Sequence, residues 1–222
     1  MSQIVAVALL CLAVCPAFAQ TTVRQPTGDE PTIWAPPILW KFNDRALPKA
    51  TVPKEMIASL RVSGVTIPLE EETELETMQS RFGGEIGSQG DAADSLGWLC
   101  LYGSDGIGPW VLWLESGEID GPYIGGFQWR RVSHSSRFDE RCSALPDTSE
   151  VRLPIGLGLG TSEAKVIRIL GRPTSRRGDT LLYEHEHDEL IRGEQFFSTN
   201  TVIVALRGGV VRAIQAVKTT TN

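Results

Sequence analysis

VTIPLEEETELETMQSRFG (Val65–Gly83) and VRLPIGLGLGTSEAKVIRILG (Val151–Gly171) are the two stretches on which the fold reading turns. Each runs from a hydrophobic-Pro-hydrophobic strand end (Ile67-Pro68-Leu69, Leu153-Pro154-Ile155) through a threonine into an apolar run that stops at glycine. The glycines at 83 and 171 are 88 positions apart and the prolines at 68 and 154 are 86 apart, so a two-residue difference in the connecting loop aligns them. Self-similarity at this period, with helix and strand signals in each copy, predicts two tandem copies of one small α+β unit.

Local chemistry sets the expected helices. Thr73-x-x-Glu76 fits a capping box, in which the hydroxyl takes a free backbone N–H and the carboxylate returns to the cap's own N–H. Leu75, Met78 and Phe82 then share one face, and Gly83-Gly84 stops the helix. In the second copy Thr161 is the expected cap, Ala164, Val166, Ile167 and Leu170 the buried stripe, and Gly171 with Pro173 the stop. Leu60–Val62 and Val65–Ile67 read as strands around a Ser63-Gly64 turn. Further strands are expected over 98–102, 110–115 and 126–131, with Ser116-Gly117 as a hairpin turn. Their counterparts are 180–186, 201–206 and 210–217, with Gly208-Gly209 as the matching turn. The expected architecture is α+β: two tandem repeats, each a short helix packed on an antiparallel β-meander.

The stretch Leu157–Pro173, with its Gly-rich entry, Thr161-Ser162-Glu163 start and Leu170-Gly171-Arg172-Pro173 end, resembles the unit of the small lipoprotein of the outer-membrane β-barrel assembly machinery. The same unit is doubled in the β-lactamase inhibitory proteins. The aromatic strand end at Tyr183 and the strand, Gly-rich turn and returning strand from Val202 to Ile214 continue the resemblance. It implies the helix-on-meander fold and, by analogy with the inhibitors, binding on the concave face of a sheet. Its motifs are structural and carry no activity with them.

Residues 1–19 hold no charged side chain and end in Ala17-Phe18-Ala19, a small-x-small cleavage pattern. They are expected to be a signal peptide cut before Gln20, which places the chain in the periplasm or outside the cell. Leu12-Ala13-Val14-Cys15 leaves a lipoprotein box as the other reading of the leader. Residues 20–56 form a Pro-rich arm, 57–131 the first repeat, 132–149 a linker and 150–222 the second repeat. After cleavage two cysteines remain, Cys100 and Cys142, and an even count in an exported chain predicts one disulfide. The net charge of −6 argues against a nucleic-acid partner. From Val62 to Arg130 twelve acids stand against two bases, whereas from Glu150 to Asn222 eight acids stand against ten bases. A partner of the first half is therefore expected to be basic.

Candidate chemistry is sparse. No Gly-x-Ser-x-Gly occurs and both mature cysteines are committed to the disulfide, so no enzyme is expected. Gly156-x-Gly158-x-Gly160 before a helix is explained as a loop entry rather than an anion site, because no Lys follows. Tyr183–Glu189 is the one cluster of metal-ligand types: His185 and His187 point to one side of a strand, but a third ligand must come from elsewhere, and His134 is the only other histidine. No cofactor is expected.

Aromatic residues crowd the first half. Trp98, Tyr102, Trp113 and Trp129 are the candidate binding residues, since Trp and Tyr supply large rigid contact area. Two arrangements fit: an open aromatic platform, or a face covered by the arm bearing Trp34 and Trp40 and by the segment bearing Cys142. The expected function is an exported, non-enzymatic protein-binding or inhibitory module of the cell envelope. The alternatives are an envelope structural or assembly factor and a periplasmic metal-binding protein using His185 and His187.

Overall fold

The computed structural model describes residues 32–37, 39, 56–69, 73–90, 95–117, 122–191 and 194–221. All lie in one compact unit, Pro31–Asn222, and the expected leader falls outside the described residues. In chain order the elements are β1 (Ser59–Val62), β2 (Val65–Pro68), α1 (Leu75–Phe82), β3 (Ile86–Gln89), β4 (Leu96–Asp105), β5 (Gly108–Gly117), β6 (Gly126–Arg131), β7 (Ser143–Ala144), β8 (Val151–Arg152), α2 (Glu163–Leu170), β9 (Ser175–Arg177), β10 (Thr180–Ile191), β11 (Glu194–Arg207) and β12 (Val210–Thr221).

The expectation of an α+β pair of helix-on-meander repeats is overturned. Strand dominates, the two helices are eight residues each, and the strands merge into one nine-stranded sheet of order β3-β4-β5-β6-β12-β11-β10-β9, with β7 added beside β4. A helix followed by four strands does occur in both halves, but antiparallel pairing of β6 with β12 joins the two meanders edge to edge. The halves interlock again in the small sheet β2-β1-β8, where Val62 pairs with Val151.

The discrepancy has a physical origin. Sheet pairing uses main-chain groups that every residue carries. The expected strand end at Glu186 is therefore passed: the backbone of His187–Ile191 continues the strand and pairs with Glu194–Ser198 along β11. Likewise Ser116 and Gly117 are still strand, paired with Gly97 and Leu96. A different connection, β4 to β5, is the tight turn of this half: at Gly106-Ile107 the Asp105 carboxylate accepts from the N–H groups of Ile107 (2.8 Å) and Gly108 (3.2 Å). Gly208 and Gly209, at φ of 61° and 74°, make the β11–β12 turn at the expected place.

Both helices end at the expected glycines, Gly83 and Gly171, but begin later than expected. Glu74 and Ser162 occupy the caps without a side-chain bond. The Thr161 hydroxyl accepts from the Gly158 N–H at 3.1 Å, fixing the entry loop rather than the helix. Of the expected stripes Leu75, Met78, Val166 and Leu170 are buried, whereas Ile167 is exposed. The helices cover one face of the sheet, where Leu99, Leu112, Leu114, Phe127 and Ile214 are fully buried in the main core.

Candidate functional site

Alternation along β4 and β5 turns Trp98, Cys100 and Tyr102, with Val111, Trp113 and Glu115, to the sheet face opposite the helices. Trp98, Cys100, Val111, Trp113 and Cys142 form a second core there, with Ile33, Trp34, Tyr102 and Phe138 packed against it. Trp98 and Trp113 are 3% and 1% exposed, so the face is covered rather than open. Tyr102 is half-buried and stacks on Phe138 at 4.0 Å between centroids. Trp129 is not part of this group. It lies at 5% exposure in the core on the helix side, because the β5–β6 register sets it opposite Leu112.

Two segments supply the cover. The first is fastened by the Cys100–Cys142 disulfide, with Cα atoms 4.7 Å apart. Its strand β7 pairs in parallel with Leu101 and Tyr102. The second is a strap formed by residues 32–37 and Leu39. Ile33 is bound at one end by main-chain hydrogen bonds to Arg137 and Asp139. Trp34 meets Trp98 edge-on at 5.6 Å, and the Arg141 guanidinium lies 4.2 Å from its ring centroid. Arg141 in turn donates to both oxygens of Asp139, and these hydrogen bonds hold that carboxyl low, at about 2. Further along, the Trp113 indole N–H donates to the Trp34 carbonyl (2.8 Å) and the Gln128 amide to the Pro37 carbonyl (2.9 Å). Leu39 packs on Leu182 and Ile203 of β10 and β11.

The strap thus crosses the sheet. From Trp113 on β5 to Ile203 on β11 is three strand spacings, about 14 Å at ~4.8 Å each. The five-residue step from Trp34 to Leu39 covers about 15 Å at the ~3.1 Å rise of an extended Pro-rich chain. The Trp40 side of the expected cover lies outside the described residues.

Beneath this face sits an unusual polar group. Glu115 is 5% exposed; one carboxylate oxygen accepts from Gln215 at 3.4 Å and the other has no partner among the described residues. Burial raises its pKa to about 7, against the smaller lowering effect of the Gln215 bond. The Trp98 Nε1 and Gln128 Oε1 atoms are also buried without a partner among the described residues, and Trp98 is directly opposite Glu115 in the ladder. Glu115 is not among the candidate residues that the sequence singles out. The available signal was an acid at an inward position of an otherwise apolar strand.

His185 and His187 lie on one side of β10 with rings stacked, 5.0 Å between centroids and 11° apart. Burial, then the neighbouring His187, holds the His185 pKa below its ordinary value. His134 belongs elsewhere, against Gly108 at the β4–β5 turn. Among the described residues no three His, Cys, Asp or Glu come together as a metal site. No helix among them is long and apolar enough to cross a membrane.

Comparison of the chain with protein families, with characterised proteins and with solved structures returned no match.

Proposed function

We propose that this chain is an exported, non-enzymatic protein-binding or inhibitory module of the cell envelope, with its binding face on β4 and β5. The observation that supports this reading is the covered aromatic face. Trp98 and Trp113 are met by a strap that is not a strand of the sheet, two side-chain N–H donors of the sheet bind its carbonyls, and Tyr102 is stacked on Phe138 beside them. Large aromatics beside donors for an extended chain are the parts from which peptide-binding surfaces are built. The acidic first half favours a basic partner and a salt-dependent association rate.

Affinity capture from an envelope fraction, with the mature chain as bait, tests the reading. One dominant protein, retained by the parent and lost with Tyr102→Ala, is the expected result. Retention of outer-membrane assembly components, unaffected by Tyr102→Ala, would replace it with the assembly-factor reading.

A further inference from the structure

We infer that the strap occupies a peptide groove in cis, and that the ligand this groove takes in trans is an extended, proline-rich segment carrying an aromatic residue two positions before a Pro-Pro pair. The inference rests on the binding-module reading and names its partner class.

Three features make the groove a built site. First, the carbonyls captured by Trp113 and Gln128 belong to residues 34 and 37, three positions apart. Trp113 and Gln128 are directly opposite in the β5–β6 ladder and so present their N–H groups side by side. Second, the rings of Pro36 and Pro37 restrict φ to near −65°, so a ligand of this type has fewer conformations to lose on docking. Third, three groups shape the slot of the half-buried Trp34 ring. Trp98 forms one wall and the Asp139-held Arg141 lies over the ring. Gly87 forms another side, since a Cβ there would stand 2.6 Å from the Trp34 ring and 2.4 Å from that of Trp98.

The groove reads main-chain carbonyls and one ring rather than a long side-chain code. A segment of another protein with the same pattern would therefore satisfy it once the strap is released.

The test uses the full chain carrying Trp34→Ala, which removes the cis anchor, and a fluorescent peptide of residues 31–40 (PTIWAPPILW). Anisotropy should show saturable binding to Trp34→Ala and at least about tenfold weaker binding to the parent. Adding Trp113→Phe, which deletes one indole donor while keeping an aromatic ring, should weaken peptide binding by about tenfold, as expected for the loss of one hydrogen bond. No binding to a Trp34→Ala chain with a native near-ultraviolet circular dichroism spectrum would overturn the inference. Should Trp34→Ala fail to fold, a protease site inserted between Arg45 and Ala46 of the parent serves instead. After cleavage, excess labelled peptide should exchange with the strap, and a failure to exchange overturns the inference equally. Peptide binding without a captured envelope protein would leave the groove standing and remove the binding-module reading; a captured partner without peptide binding would do the reverse.

Discussion

Trp113 donates its indole N–H to the main-chain carbonyl of Trp34, 79 positions away in sequence, at 2.8 Å. This single bond ties the strap to the middle of the sheet, and it makes the two tryptophans part of one packed unit. A ring that sequence alone offers as a binding anchor is therefore also a core residue.

Trp113→Ala should lower the unfolding free energy by roughly 3–5 kcal/mol, the range for deleting a buried large aromatic. Trp98→Ala should fall in the same range, since its ring is equally enclosed. Urea melts at equal protein concentration measure both. Midpoints unchanged from the parent would show that neither ring is packed as described.

Gly87→Ala isolates the slot from the donors. The added methyl group would run into the rings of both Trp98 and Trp34, so one of them must shift. The expected loss is about 2 kcal/mol, typical of overpacking a filled core. It should be accompanied by a changed near-ultraviolet tryptophan signal, whereas Gly106→Ala, at a site open to solvent, should leave that signal unaltered.

The pH dependence follows from Glu115. Its folded pKa, about 7, stands above the ordinary carboxyl value of 4.5 because burial penalises the charge. Below pH 4.5 the carboxyl is protonated in both states and contributes no pH dependence. Between pH 4.5 and 7 the unfolded chain ionises while the folded chain does not, so stability falls by up to about 3 kcal/mol and then levels off. Glu115→Gln should abolish that contribution: the variant should gain on the parent as pH rises from 5 to 8. Equal melting curves for parent and variant at pH 8 would show that Glu115 ionises freely in the fold.

Reduction of the Cys100–Cys142 bond opens a loop of 42 positions. In the chain-entropy account this costs about 4 kcal/mol. Because Cys142 also lies against the Ile33 carbonyl, reduction should loosen the strap as well. Hydrogen exchange should then accelerate at the Ile33 and Asp139 amides, which bond each other's segments, before it accelerates in β11.

Breaking the Arg131–Asp105 pair leaves a guanidinium that is 3% exposed without its carboxylate. Burial alone would raise Asp105, yet the hydrogen bonds and charge of Arg131, with the Ile107 and Gly108 amides, hold it below its ordinary value. Asp105→Ala should cost about 2 kcal/mol, since one partner remains solvent-accessible and the turn bonds are lost with it. Thermal unfolding near neutral pH reads the change directly.

Those features governed by one or a few neighbouring residues were legible in the chain. Gly83 and Gly171 end the helices because the backbone there takes a positive φ that side chains resist. Gly208-Gly209 turns a hairpin for the same reason, and the expected Cys100–Cys142 disulfide is present. What long-range pairing settles was not legible. The union of β6 with β12, which puts Ile214 beside Trp129, rests on main-chain groups common to all residues, so no residue type announces it. The face on which Trp129 lies depends on register, and a shift of one residue would turn it to the other side. The strap was readable only as a Pro-rich arm with tryptophans. Its course across the sheet from β4 to β10, and hence the closure of the aromatic face, was decided by tertiary contacts such as those of Trp113 and Gln128 with carbonyls that every sequence possesses.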